Sequence, residues 1–177
     1  IMEPLANEPL ADYMWIYRLA TAHQIAGDCE RVLGNRKYSE IHYIRSLSIL
    51  EKIKGDSTDA RQRRLKAMAE LGLVRLRGVE TESSELESIV KQIGLLSTNT
   101  PSDAPVTIAL ADALLLFGEQ RRFQGDIADA RKIWQRALEV SDTNQTNRLP
   151  PQLIAARAIA RLRLDGARPP RRDRPHR

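Results

Sequence analysis

Cysteine is nearly missing from this chain: Cys29 is the only one among 177 residues, so no internal disulfide can form and the redox compartment cannot be read. Aromatic residues stand at 5%, and none of the three histidines, His23, His42 and His176, has carboxylates at ligand spacing. No glycine-rich phosphate loop or nucleophile signature occurs either. The longest apolar run, Val106 to Gly118, is interrupted by Asp112 and too short to span a bilayer. No secretory signal opens the chain. Metal, nucleotide and nucleophile chemistry all lack a carrier, so the sequence predicts a protein that is not an enzyme and uses no metal or cofactor.

Net positive charge is also thin over most of the length. Of the net +5, residues 167–177 (ARPPRRDRPHR) supply four charges, with five Arg against one Asp. A nucleic-acid-binding body carries its charge on the folded surface, so no nucleic acid is expected as a partner. The Pro-rich end cannot form a helix and reads as a basic disordered tail. The body, with 42% apolar and 29% charged residues overall, has the balance of a soluble fold. Cys29 lies between Asp28 and Glu30, a setting that does not activate a thiol, and reads as a small buried hydrophobe.

What the chain does have is glycine in unusual places. Gly27, Gly72 and Gly118 stand 45 and 46 residues apart, each inside a helix-forming stretch. Glycine in a helix interior costs about 0.5–1 kcal/mol relative to Ala. A near-fixed period of such positions predicts stacked helical repeats in which a second helix crosses close by. The third unit is the clearest. Leu110, Ala113, Leu114 and Phe117 have helical spacing, Gly125-Asp126 breaks the helix, and Asp126 can cap the next one. There Ala130, Ile133, Trp134, Ala137 and Leu138 form an apolar stripe. The first unit repeats the order, with Gly34 after Gly27 as Gly125 is after Gly118, then Ser39, Tyr43 and Ser46 where the third has Ala130, Trp134 and Ala137. The middle unit has Gly72 followed by Gly78, a capping-box pattern at Ser84 and Glu87, and an apolar face of Leu86, Ile89, Val90, Ile93 and Leu96 on its second helix.

The expected fold is all-α: three antiparallel hairpins over about 9–53, 59–97 and 104–141, a helix 152–164 capping the stack with a polar outer face, and the tail 167–177. The residues Phe117-Gly118, Gly125, Ala130, Trp134 and Ala137, with Ala26-Gly27, Gly34, Ser39, Tyr43 and Ser46 and then Leu71-Gly72, resemble the tetratricopeptide repeat family. That resemblance implies a right-handed superhelix and a protein–protein interaction scaffold. The spacing is longer than the family's usual 34, and Glu30, Arg75 and Arg121 stand where an aromatic is common. A looser resemblance links LATAHQIAGDCERVLGN and RSLSILEKI to repeat regions attached to bacterial serine/threonine kinases. It implies the sensory or docking part of a signalling protein, periplasmic if it follows a membrane span and cytoplasmic otherwise. A chain that starts with Ile1 is expected to be a piece of a longer protein.

In such arrays the first helix of each hairpin lines a concave groove. Counting from each glycine places Thr21, Gln24, Asp28, Arg31 and Val32 on the open face of the first unit, with Tyr13 and Tyr17 further back. The same count gives Lys66, Ala69, Leu73, Leu76 and Arg77 in the second unit, then Asp112, Leu115, Glu119, Arg122 and Phe123 in the third. Trp15 and His23 fall on the packed face. Such an amphiphilic groove suits a partner peptide or helix. Chaperone-binding members of the family grip a terminal carboxylate with Lys and Asn. Gln24, Asp28, Leu115 and Glu119 occupy those places here, which excludes that mode. Rival readings are a homo-oligomerisation module, an anion-binding role of the Arg tail toward nucleic acid or membrane, and a small-molecule pocket.

Overall fold

The computed structural model describes residues 13–52, 60–100, 103–142 and 150–167. Within them the chain forms seven α-helices and one 3-10 turn, with no strand among the described residues. They are α1 (Tyr13–Val32), α2 (Arg36–Glu51), α3 (Ala60–Arg77), the turn Gly78–Glu80, α4 (Ser83–Asn99), α5 (Ala104–Phe123), α6 (Ile127–Asp142) and α7 (Pro151–Gly166). The arginine-rich residues 168–177 lie outside the described part.

Local sequence accounts for the helix ends. Gly34 and Gly125 have φ of 81° and 87°, which a side chain would strain. At the first turn the Gly34 N–H donates to the Arg31 carbonyl at 3.1 Å and the Asn35 N–H to the Glu30 carbonyl at 2.8 Å. Gly125 and Asp126 make the matching pair to Arg122 and Arg121, so both turns close with the Schellman arrangement. Asp126 then accepts from the Asp129 N–H at 3.0 Å, and Asp103 accepts from the Val106 N–H at 3.3 Å at the head of α5. The Ser84–Glu87 capping box does not form. The cap lies two residues earlier, at Glu82, which makes no side-chain cap, and α4 begins at Ser83. The middle connection is also different in kind: a 3-10 turn at Gly78 (φ 65°), held by Gln120 of α5 donating to the Thr81 carbonyl.

Each helix packs on the next, and α1, α3, α5 and α7 also touch in series. Among the described residues the backbones of α2 and α4 do not approach each other, nor do those of α4 and α6. The odd-numbered helices are therefore drawn together on one side, and the even-numbered ones stand apart on the other. The main core runs from α3 to α7 and includes Leu71, Val74, Leu86, Ile93, Leu114, Trp134 and Leu153. A smaller cluster of Ala20, Leu50 and Leu65 joins the first hairpin to α3.

The glycines do not mark close helix backbones; they seat aromatic rings. A Cβ on Gly27 would lie 2.7 Å from the Tyr43 ring, and one on Gly118 would be closer still to the Trp134 indole. Gly72 also faces Tyr43, not its own second helix. Gly27 and Gly72 thus approach one ring from two different helices, and Gly72 is not the middle counterpart of the other two. Groove-facing residues identify that counterpart. Aligning Tyr17, Arg64 and Ile108 sets Val74 level with Gly27 and Gly118. Leu86, Val90 and Ile93 then match Ser39, Tyr43 and Ser46. All four are buried, so the middle hairpin replaces glycine plus small-large-small with medium-sized aliphatics throughout. α3 and α4 accordingly touch over less of their length than α1 and α2 do.

One expectation about the end of the stack is overturned. α7 buries Leu153, Ala156 and Ala160, but its outer face is mixed, not uniformly polar: Ile154, Ile159 and Leu162 are exposed along it beside Gln152, Arg161 and Arg163.

Candidate functional site

The odd-numbered helices enclose a groove of about 290 Å3. α1 contributes Tyr17, Thr21, Gln24 and Asp28; α3 contributes Arg64, Leu65, Met68 and Arg75; α5 contributes Pro105, Ile108 and Ala109; Gln152 comes from the start of α7. One end, near the helix N-termini, is apolar. Tyr17, Met68, Pro105 and Ile108 meet there, and Tyr13 stacks on Tyr17 with centroids 6.3 Å apart.

The other end is polar, and its charges are matched internally. Arg75 binds Asp112 across α3 and α5; Arg64 binds Asp103 at 2.7 Å at the opposite end, beside the apolar residues and the head of α5. Asp28 accepts hydrogen bonds from Gln24 and from the Tyr43 hydroxyl, the latter at 2.8 Å. Burial pushes the Asp112 carboxyl above the usual range although Arg75 and Arg31 oppose it. Burial likewise raises the Tyr43 phenol, and the Asp28 carboxylate adds to the effect. With three Asp facing three Arg, the groove carries little net charge. What the groove offers chemically is apolar surface and the side-chain amides of Gln24 and Gln152 more than net charge.

The register read from the sequence holds on α1 and fails on α3. Thr21, Gln24, Asp28 and Tyr17 line the groove, with half-buried Arg31 close to Asp112. Lys66 instead lines a separate cleft, Ala69 is fully buried, Leu73 is half-buried, and Arg77 is tied to Glu85 by bonds of 2.6 and 2.7 Å. The physical reason is the orientation of Gly72, which faces back toward α2 where Gly27 faces forward to it. Counting from it turns α3 to the wrong side. On α5, Asp112 reaches the groove pair with Arg75, whereas Leu115 is buried. Glu119 is held by Arg122 at 3.0 Å and by Arg163 of α7, and Phe123 stands 73% exposed at the turn. Arg64, Met68, Arg75, Pro105, Ile108 and Gln152 escaped the sequence reading. The signal for the α3 residues was the spacing of Val74 to Leu86, Val90 and Ile93, which equals that of Gly27 to Ser39, Tyr43 and Ser46.

Outside the groove, His23 is buried, and its Nδ1 lies 3.0 Å from Nδ1 of His42, one nitrogen donating to the other. Two placements change: Cys29 is exposed, not buried, and Trp15 is 41% exposed beneath the Arg18 guanidinium. Among the described residues no three His, Cys, Asp or Glu side chains gather where they could hold a metal, and no helix is long and apolar enough to cross a membrane. A cleft of about 630 Å3 opens between α2 and α4 over α3, and shares no residue with the groove.

No family model matches the chain, and neither does any curated protein or solved structure. The functional reading therefore rests on the geometry above and on the sequence resemblance.

Proposed function

We propose that the chain is a non-catalytic interaction scaffold, a tetratricopeptide-like right-handed superhelix that takes a peptide or helix of another protein in the groove of its odd-numbered helices. The observation that carries this reading is the groove itself: an apolar end at Tyr17, Met68 and Ile108, and a polar end whose charges are already paired. A partner with apolar anchors and a hydrogen-bonding backbone suits that surface, in the manner of helix-in-groove recognition. A place beside a bacterial signalling kinase remains part of the proposal and rests on the sequence resemblance alone.

Paired substitutions test it. Met68→Glu and Ile108→Glu set charge into the apolar end, while Lys132→Glu lies on the exposed face of α6. The groove variants should weaken binding of a partner peptide at least tenfold, and K132E should leave it unchanged. Equal binding by all three folded variants would sink the reading.

The exposed Ile154, Ile159 and Leu162 favour a second reading, self-association through α7. Ile159→Glu with Leu162→Glu should then lower the mass measured by analytical ultracentrifugation at high concentration. A wild-type chain that stays monomeric removes that reading.

A further inference from the structure

The cleft between α2 and α4 contains a chemical imbalance that the groove lacks. Leu47 and Leu50 wall it on one side and Leu95 and Leu96 on the other, with Leu95 59% exposed. Its volume, about 630 Å3, lies within the range of about 300–1,000 Å3 usual for small-molecule sites. On its floor the Glu70 side chain is only 24% exposed, and its Oε2 has no hydrogen-bond partner among the described residues. The Lys66 ammonium stays 3.8 Å from Oε1, too far for a hydrogen bond, and its own side chain is 58% exposed to water. Burial pushes the Glu70 carboxyl up, Lys66 pulls it only part of the way back, and Glu85 adds a smaller upward push. A hydrated cation needs no further acceptor, whereas a desolvated carboxylate oxygen without a partner needs a donor.

We propose that this cleft binds a small amphiphilic ammonium ion, its N–H groups donating to Glu70 and its hydrocarbon body held between Leu47 and Leu95. An ammonium brings three donors, and a charge-assisted bond to a partly desolvated carboxylate is about twice as strong as a neutral one. An anionic amphiphile would set a third negative charge beside Glu70 and Glu51, with only the solvent-exposed Arg63 and Lys66 to offset it. A neutral alcohol would offer one donor and no charge. The site is independent of any peptide in the groove, so either reading can fail alone.

The test uses the whole chain and three probes of equal length: n-octylammonium, n-octanoate and n-octanol, titrated by calorimetry. Octylammonium should bind one-to-one, octanoate and octanol at least tenfold more weakly. Glu70→Gln, which keeps the shape and removes the charge, should weaken octylammonium at least tenfold while the protein stays folded by circular dichroism. Leu47→Trp, which fills the cleft, should abolish binding with Glu70 still present. The proposal is overturned if E70Q binds octylammonium as the wild type does, if octanol binds as tightly, or if the wild type shows no saturable binding.

Discussion

In the first hairpin Ser39 and Ser46 donate their hydroxyl hydrogens to the Gly27 and Ala20 carbonyls, each at 2.8 Å, with Tyr43 lying between them. In the third, Ala130 and Ala137 hold the same places around Trp134, and no hydroxyl is present. Both pairs have the same turn and the same glycine beneath the ring. The shared requirement is thus one of size order: small, large, small, against a residue with no side chain. Polarity is free to vary so long as each buried hydroxyl finds a carbonyl. The aromatic tips follow the same division. The Tyr43 hydroxyl bonds Asp28, whereas the buried Trp134 Nε1 has no partner among the described residues. The third hairpin sits in the main core, where apolar packing suffices. The first meets only a small apolar cluster and adds hydrogen bonds to it.

The largest effects should come from removing the rings. Trp134→Ala should cost about 3–5 kcal/mol in urea unfolding, since a fully buried aromatic leaves a cavity the helices cannot close. Tyr43→Ala should cost a similar amount and act locally. Hydrogen exchange should then lose protection in α1 and α2 while α5 and α6 keep theirs, and uniform loss across all helices would erase the distinction between the hairpins.

Next come the glycines. Gly27→Ala, Gly72→Ala and Gly118→Ala each put a methyl into an aromatic ring, an overpacking cost of about 1–3 kcal/mol against a helix-propensity gain of about 0.5–1 kcal/mol. Gly72→Ala should become harmless in a Tyr43→Ala background and stay costly in a Trp134→Ala background. Equal costs in both would mean that Gly72 does not answer to Tyr43.

Tyr43→Phe should cost about 0.5–1.5 kcal/mol near neutrality for the hydrogen bond to Asp28. Its sharper signature is alkaline. The folded phenol titrates above the ordinary value of 10.0, so between that value and its raised one the unfolded chain loses a proton that the folded chain keeps. Stability contributed by Tyr43 is therefore present below pH 10 and falls as pH rises through that window. The variant should show a shallower alkaline loss in thermal melts, and identical slopes would contradict the assignment. The smallest effects should come from exchanging the hairpins' small residues. Ser39→Ala and Ala130→Ser should each stay within about 1 kcal/mol, because the matching carbonyl in the third hairpin, that of Gly118, can accept the new hydroxyl. A loss above about 3 kcal/mol for Ala130→Ser would mean that the two backbones are not equivalent there.

Much of the fold was legible because hairpins one and three advertise themselves through glycine, turn and ring. The groove face of α1 followed directly from Gly27. α3 was misread because a glycine reveals close approach but not direction, and Gly72 answers to the ring of the preceding hairpin. The middle hairpin hid its equivalence because Val74, Leu86, Val90 and Ile93 fill space with aliphatics that any buried helix could carry. The internal pairing of Arg64 and Arg75 with Asp103 and Asp112 joins residues 39 and 37 positions apart in the chain, and no local spacing signals such partners.

Tyr43 between Gly27 and Gly72 has a mechanical meaning. Helical arrays flex by small sliding of neighbouring helices, and a ring seated on two different helices works as a dowel against that sliding. α1 cannot shift along α3 without driving a flanking side chain into the ring. Bending of the array is thereby directed away from its first joint and toward the middle hairpin, where Val74 stands in place of the glycine and the chain turns at Gly78.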